Sequence, residues 1–358
     1  MSNHLVGGVL AGQRRAIART ISLIEDDGAE AQATLAALHP HTGRAHIVGV
    51  TGPPGSGKSS LVNALALHFR RSAASGPGEG GPPKTVGIIA VDPTSPFSGG
   101  AILGDRIRMR DLAGDPGIFI RSMASRGNLG GLAWATADAV KVLDAAGFEL
   151  IFIETVGAGQ AEVDIARTAH TTVVVEVPGL GDDVQAIKAG ILEIADVFVV
   201  NKADHEGADH AVMALRMMLD LDLGGTATVM HHGRLMEVVR AASGGIEPEN
   251  RGLERQQGRH AGQPGWRPPI FKTIAPRHEG VADLAAAILA HRAYLEQSGL
   301  LVQRERERAA AELETIIQQE SLRRVLACAQ EEKLAALIDQ IVRREIDPYT
   351  ASQRLLGC

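Results

Sequence analysis

The fold is decided by the stretch Gly52-Pro53-Pro54-Gly55-Ser56-Gly57-Lys58-Ser59, which matches the pattern G-x-x-x-x-G-K-[ST]. An apolar run, His46–Thr51, precedes it, and a helical pattern begins near Lys58. In this context the glycines let successive backbone N–H groups converge on a phosphate at a helix N-terminus. We therefore expect residues 52–60, through Ser60, to bind a nucleotide. Lys58 would reach the β- and γ-phosphate oxygens, and the Ser59 hydroxyl would take a Mg²⁺ position.

Short β-branched runs alternate with helical stretches along the rest of the chain. Strands separated by helices are typical of a mostly parallel sheet with helices on both faces. The sequence thus predicts an α/β fold, the doubly wound sheet of a P-loop NTPase. The predicted strands are His46–Thr51, Thr85–Val91, Gly117–Arg121, Leu150–Ile153, Thr171–Val177, Val197–Val200 and Ile270–Ile274.

Helical patterns flank this region on both sides. Apolar spacing over residues 8–38 predicts two helices with a break near Asp27-Gly28, and after Glu279 the chain has helical spacing to Arg344. Asp347-Pro348 then begins a last short turn or helix. Periodicity alone leaves the C-terminal helices open to two readings, a dimerisation arm or a packed cap. The predicted parts are an N-terminal helical extension (1–45), a P-loop domain (46–278) and a C-terminal helical region (279–358).

Composition restricts the partners and the compartment. The chain has 358 residues and a net charge of -6, from 36 Lys+Arg against 42 Asp+Glu, so nucleic acid is not an expected partner. The two cysteines, Cys328 and Cys358, form neither a disulfide framework nor a zinc spacing. No apolar run reaches the roughly 18 residues that span a bilayer. We expect a cytoplasmic protein that does not bind a membrane.

The segment Asn201-Lys202-Ala203-Asp204 follows an apolar strand and has the N-K-x-D pattern of guanine-binding loops. The Asp204 carboxylate can accept from the guanine ring N–H and the exocyclic amine, while Asn201 can bond the opposite edge and Lys202 can cover the face of the base. Adenine would leave these groups unpaired, which is a costly mismatch. The pattern predicts GTP and GDP as ligands, with ATP as the alternative.

A third segment, Glu154-Thr155-Val156-Gly157, follows the strand Leu150–Ile153. Glu154 can hold the Mg²⁺ water shell, and the Gly157 amide can sense the γ-phosphate; a buried structural carboxylate is the alternative. Ala158 stands where Ras-like proteins carry a water-orienting glutamine. We therefore expect slow intrinsic GTP hydrolysis that a partner accelerates.

Further polar residues could approach the metal or the nucleotide. Asp92 ends the second strand and is placed to approach Mg²⁺. Asp105 and Arg108 could complete the Mg²⁺ surroundings or pair with each other. Residues 178–190, rich in glycine and charge, could change conformation with nucleotide or could simply connect a strand to a helix.

Taken together, these motifs resemble the MeaB/ArgK family, the GTPase chaperones of adenosylcobalamin-dependent acyl-CoA mutases, whose human member is the methylmalonic aciduria type A protein. The resemblance covers nearly the full length. It is carried by Val50-Thr51-Gly52-Pro53-Pro54-Gly55-Ser56-Gly57-Lys58-Ser59, Val91-Asp92-Pro93-Thr94-Ser95, residues 104–109, Glu154–Gly157 with Gly159-Gln160, residues 178–190 and Asn201–Asp204.

The resemblance implies a homodimer of G domains with a C-terminal helical dimerisation arm. It implies that GTP binding and hydrolysis gate cofactor loading and protect or rescue the mutase. Asp92, Asp105 and Glu154 would surround Mg²⁺ with Ser59, and Lys188 would move toward the nucleotide when the mutase binds. Lys58, Glu154 and Lys188 would then act in catalysis. Where related GTPases often read Ser-Ala, this chain has Thr273-Ile274-Ala275, and Ala275 would offer its N–H to the guanine carbonyl.

Other functions remain open on the sequence. A metal-inserting GTPase shares the nucleotide motifs but needs soft ligands, and His231-His232 is an isolated pair. A transport-system kinase or ATPase would need an acceptor site, which no motif identifies. Within the preferred class, the client could be methylmalonyl-CoA mutase or a relative such as 2-hydroxyisobutyryl-CoA mutase, because no residue identifies the acyl group.

Overall fold

The computed structural model describes residues 2–26, 28–71, 83–93, 110–112, 114–125, 131–155, 165, 167–179, 194–222, 227–231, 234–238, 265–328 and 331–356. The chain forms two compact units, Met1–Ser298 and Gly299–Cys358. The division into residues 1–45, 46–278 and 279–358 stays a prediction.

Seven strands of the first unit form one sheet in the order β3-β2-β4-β1-β5-β6-β9, and all neighbouring pairs are parallel. Each corresponds to one of the seven predicted strands, so the doubly wound parallel fold is confirmed. The strands of the described chain are β1 (His46–Thr51), β2 (Val86–Pro93), β3 (Ile118–Ser125), β4 (Leu150–Thr155), β5 (Thr171–Glu176), β6 (Val197–Asn201), β7 (Ala227–His231), β8 (Arg234–Val238) and β9 (Ile270–Thr273).

The strands β7 and β8 are not among those predicted from the sequence. They pair antiparallel as a separate hairpin, with His231 opposite Arg234.

Helices cover both faces of the sheet. The α-helices of the described chain are α1 (Ser2–Leu10), α2 (Arg14–Glu25), α3 (Ala29–Leu38), α4 (Lys58–Arg71), α5 (Gly131–Ala145), α6 (Ala208–Asp222), α7 (Val281–Gln297), α8 (Leu300–Cys328), α9 (Glu331–Val342) and α10 (Pro348–Leu356).

The two faces of the sheet form separate apolar layers because side chains alternate along each strand. One layer joins α4 and α7 to the strands, with Leu65 and Ile288 among its fully buried residues. The other joins α2, α3 and α5 to the strands, with Ile17 and Leu143 fully buried. A third group packs α6 against Phe198 and its neighbours. Strands β1, β4, β5 and β6 are buried throughout, as expected of strands covered on both faces.

The N-terminal extension packs beside the edge strand β3. Two predicted helices are present with the break where it was expected, and a further helix, α1, precedes them. Arg121 of β3 bonds Glu25 of α2, and the Arg14 guanidinium lies 5.7 Å from the Phe119 ring centroid. Side chains of the extension thus contact β3, an edge strand of the sheet.

Helix α7 belongs to the core of the first unit, since Val281, Leu284 and Ile288 are buried against α4 and the strands. The second unit contains α8, α9 and α10. The last helix begins at Pro348 as predicted, and Asp347 caps it by accepting the backbone N–H groups of Tyr349 and Thr350 at 2.8 and 3.0 Å.

Within the described residues, no helix has both the length and the apolar character needed to cross a membrane.

A chain of buried polar side chains lies at the amino-terminal edge of the sheet. The Nε2 atom of His46 lies 2.8 Å from the Thr171 hydroxyl, which lies 2.9 Å from Nδ1 of His291. The other ring nitrogen of His291 lies 3.3 Å from Asp196, whose second oxygen accepts the N–H of Thr172. These bonds tie β1, β5 and β6 to α7.

Burial lowers the pKa of His46 well below 6.5, and the neighbouring His170 and Arg292 lower it further. His46 is therefore neutral in the folded protein at neutral pH. The unfolded chain takes up a proton at this histidine near pH 6.5, whereas the folded chain does so only at lower pH. The contribution of neutral His46 to the free energy of unfolding is therefore fully present above about pH 6.5. It is lost progressively as the pH falls below that value.

We predict that the free energy of unfolding falls as pH drops from 7.5 to 5.5, with His46 contributing up to about 1.4 kcal/mol per pH unit. Urea denaturation of wild type and His46→Gln at both values measures this. The variant should show a shallower pH dependence because glutamine does not titrate. The exposed His205→Gln variant is the control, and a His46→Gln slope equal to that of wild type would contradict the assignment.

Candidate functional site

The phosphate-binding motif lies in the loop between β1 and α4, as predicted. Gly52, Gly55 and Gly57 have φ values of 138°, 77° and 83°, which other residues rarely adopt. At Gly52 a Cβ atom would lie 2.1 Å from the Val175 carbonyl oxygen of β5. The motif therefore needs glycine there for close packing as well as for its backbone conformation.

Lys58 begins α4 and is almost completely buried. Its ammonium group donates to the carbonyl oxygens of Gly52 and Pro53 at 2.9 and 2.8 Å. These bonds hold the positive charge across the loop. Of the other predicted residues, Ser56 is buried, whereas Pro54, Gly55 and Ser60 are exposed.

Ser59 and Glu154 meet at the carboxyl edge of β1 and β4. The parallel register pairs Val50 with Glu154, and the Ser59 hydroxyl donates to Glu154 Oε1 at 2.5 Å. Glu154 is only 3% exposed. A hydroxyl and a carboxylate are hard oxygen donors of the kind that Mg²⁺ prefers, so this pair fits such an ion.

Four predicted positions lie wholly or partly outside the described residues. Asp92 lies at the end of β2, the neighbour of β4, and its side chain is outside the described part of the chain. Asp105, Gly157 and Lys188 are outside it entirely. Among the residues that are described, no group of three or more His, Cys, Asp or Glu side chains could hold a metal ion.

Asn201 ends β6 and joins two loops. Its Nδ2 donates to the Ser56 carbonyl oxygen at 2.8 Å, and its Oδ1 accepts from the Thr273 hydroxyl at 3.1 Å and from the Ala275 N–H at 3.3 Å. The sequence suggested that Asn201 would bond the base and that Ala275 would offer its N–H to guanine. In the structure both groups bond to each other, and Asn201 is 1% exposed.

The predicted base-binding residues share one edge of the site. Lys202 has a left-handed φ of 56°, and its Cε lies 3.9 Å from the Cβ position of Gly57. The N–H of Ala203 donates to the Thr273 carbonyl at 3.1 Å, which aligns the loop after β6 with the loop after β9. Asp204 lies at the outer end of this loop and remains 43% exposed in its side chain.

Two residues of this site were missed in the sequence. The Thr273 hydroxyl bonds Asn201, and the Arg277 guanidinium lies 3.3 Å from Asp204. Thr273 lies near the end of the predicted strand Ile270–Ile274 and close to Ala275, so its position was a signal that could have been followed. Arg277 had no such signal, since a lone arginine after a proline is common in surface turns.

The chain has relatives along nearly its whole length. Residues 17–330 match the family model described as "Methylmalonyl Co-A mutase-associated GTPase MeaB". A putative GTPase of Pyrococcus abyssi is 44% identical over 356 residues, covering 99% of this chain and 96% of that protein. A probable GTPase of Mycobacterium tuberculosis is 34% identical over 357 residues, covering 98% and 93%.

The fold has a solved counterpart. The crystal structure of LAO/AO transport system kinase superposes with a TM-score of 0.64 at 22% identity, covering 99% of this chain and 96% of that one. Identity at this level shows the shared fold alone. The family model, the two relatives of almost equal length and the phosphate loop lead to one conclusion: the chain belongs to the MeaB family of P-loop GTPases.

Proposed function

We propose that this protein is a Mg²⁺-dependent GTPase that acts as a chaperone of an adenosylcobalamin-dependent acyl-CoA mutase. The observation that carries the nucleotide assignment is the Asn201 side chain, which joins the phosphate loop to the loops around Asp204 and Ala275. The mutase assignment is supported by the family to which the chain belongs. GTP binding and hydrolysis would gate cofactor loading and protect or reactivate the mutase.

The base-reading end of the site favours guanine over adenine. Asp204 is an exposed carboxylate beside Lys202, on a loop fixed to the phosphate loop by Asn201. A carboxylate accepts from two adjacent donors, and guanine presents two on one edge. The distance between phosphate and base sites is thus set by protein bonds before a nucleotide arrives, which lowers the ordering cost of binding.

Ser59 and Glu154 would hold Mg²⁺, with Asp92 and Asp105 approaching from the neighbouring segments. A bound Mg²⁺ would supply positive charge that offsets the negative charge of the nucleotide phosphates. Lys58, already buried at the loop, supplies a second positive charge to the same oxygens. Glu154 orients the Ser59 hydroxyl through their 2.5 Å hydrogen bond.

Intrinsic hydrolysis is proposed to be slow. Ala158 occupies the position of the water-orienting glutamine, so the free protein has no side chain there to position the attacking water. Lys188 would move toward the nucleotide when the mutase binds and would stabilise the charge of the transferred phosphoryl group. The client is methylmalonyl-CoA mutase or a relative such as 2-hydroxyisobutyryl-CoA mutase, in the cytoplasm.

The second unit is proposed to pair two copies of the chain. Helix α8 has 29 residues and carries exposed apolar side chains at Val302, Leu313, Ile316, Ile317 and Leu322. At 100° per residue the first four of these lie on one face, within an arc of about 100°, and Leu322 lies on the opposite face. A second copy of the same helix is the proposed cover, because an apolar stripe on a long helix is the pattern by which helices associate.

We predict that Asp204→Asn weakens GDP binding at least about a hundredfold, since two hydrogen bonds to a charged acceptor are lost. Xanthine carries a carbonyl where guanine carries the amine, so the variant should gain affinity for xanthosine diphosphate. Titration with fluorescent nucleotides measures both. Asp209→Asn, a nearby exposed acid, is the control, and wild-type GDP affinity in Asp204→Asn would refute the assignment of the base site.

We predict that GTP turnover is slow alone and rises about tenfold or more when the client mutase is added, because the partner completes the site. Phosphate release with GTP or ATP, with each candidate mutase, measures this. Lys188→Ala should remove the stimulation, whereas Lys84→Ala, which alters a lysine at the opposite edge of the sheet, should keep it. Absence of stimulation by every candidate would argue for another client or for metal delivery.

We predict that wild type sediments as a dimer and that Leu313→Ser/Ile317→Ser sediments as a monomer, because the double change places two hydroxyls in the apolar stripe of α8. Analytical ultracentrifugation at several concentrations gives the masses. Gln319→Ser on the same helix is the matched control. A double variant that remains dimeric would place the interface elsewhere.

A further inference from the structure

The turn after β9 has a fixed shape. Ile274 N–H donates to the Glu279 carbonyl at 3.1 Å, and Arg277 N–H donates back to the Ile274 carbonyl at 2.9 Å. His278 adopts a left-handed φ of 57°. At Gly280 a Cβ atom would lie 2.1 Å from the Lys272 carbonyl oxygen, so the turn is packed tightly against β9. The backbone of Arg277 is therefore set by hydrogen bonds rather than by its side chain.

The Arg277 side chain lies between two carboxylates. Its NH2 atom is 3.3 Å from Asp204 Oδ2, and its Nε atom is 3.3 Å from Glu279 Oε1. Within the part of the chain that the structure describes, Arg277 is the charged partner of Asp204. Glu279 holds the guanidinium from the other side, which limits how far it can turn away from Asp204.

Guanine recognition needs the Asp204 carboxylate in one orientation. A base edge offers two donors in one plane, and a carboxylate must lie in that plane to accept both. The Asp204 side chain is 43% exposed, so packing alone does not fix its rotation. A cation on Oδ2 restricts that rotation and still leaves acceptor capacity on both oxygens, since a carboxylate has about four lone-pair sites.

We propose that Arg277 is a positioning residue that holds Asp204 in the orientation that reads guanine, and that it thereby sets the preference for guanine over bases without the exocyclic amine. The proposal rests on the proposed binding of guanine nucleotide at Asp204. Arg277 acts through the carboxylate and lies at the base end of the site, so it affects nucleotide affinity and selectivity and leaves the chemical step unchanged.

The effect is expected to be modest because the ion pair is exposed. Arg277→Ala should weaken GDP binding about two- to fivefold, which corresponds to the loss of one exposed ion pair. Inosine lacks the exocyclic amine and makes one bond fewer to Asp204. IDP binding should therefore change less than GDP binding, and the ratio of the two affinities should fall. Added salt should shrink the difference between variant and wild type, since salt screens an exposed pair.

The test is titration of the full-length protein with fluorescent derivatives of GDP and IDP at low and high ionic strength, together with kcat and KM for GTP. The variants are Arg277→Ala, Arg277→Gln as a polar replacement without charge, and Arg267→Ala as the matched control. Arg267 is similarly exposed, at 60% against 54% for Arg277, and is paired with Asp220. It lies before β9 and away from the site. The expected result is a raised KM with unchanged kcat in the Arg277 variants and wild-type values in the control.

Either of two outcomes would overturn the proposal: GDP and IDP affinities that both stay at wild-type values in the two Arg277 variants, or affinities that fall by the same factor for both nucleotides. These are distinct from failure of the proposed function. If wild type binds no guanine nucleotide in preference to ADP, the assignment of the base site itself fails. If wild type prefers GDP and the Arg277 variants keep its selectivity, Arg277 alone is excluded.

Discussion

The arrangement of the site depends on one buried amide. Asn201 donates to the phosphate loop at Ser56 and accepts from Thr273 and Ala275, so three loops from three strands meet at a single side chain. Gly57 permits this approach, because a Cβ atom there would lie 2.5 Å from the amide nitrogen. The last glycine of the phosphate motif is thus required for the close approach of the Asn201 side chain.

The parallel sheet explains why residues distant in sequence converge. The carboxyl ends of β1, β4, β6 and β9 lie at one edge, and each delivers a polar group just past its last apolar residue. Ser59 begins the helix that follows β1 and meets Glu154 because β1 and β4 are neighbours in register. Asn201 meets Thr273 because β6 and β9 are neighbours. The order of the strands therefore determines which polar side chains meet. Open α/β sheets generally bind ligands at this edge.

Much of this was predictable from the sequence, and the limits have physical causes. The seven strands were visible because buried parallel strands are continuous apolar runs. The phosphate loop and Asn201–Asp204 were visible because their chemistry demands particular residues at particular spacings. The hydrogen bonds of the Asn201 side chain could not be predicted from the sequence, because they depend on how closely β6 and β9 bring their loops together. The ion pair of Arg277 and the hairpin β7-β8 were missed because neither has a strong local pattern.

The strand order also constrains how the chain can fold as it is synthesised. The central strand β1 pairs with β4 and β5, with His46 opposite Leu150 and Val48 opposite Thr171. At ribosomal rates, β1 must wait roughly 5 to 20 seconds for its first partner. During that interval the backbone groups of β1 have no strand partner, so β1 enters the sheet only after β4 has been synthesised.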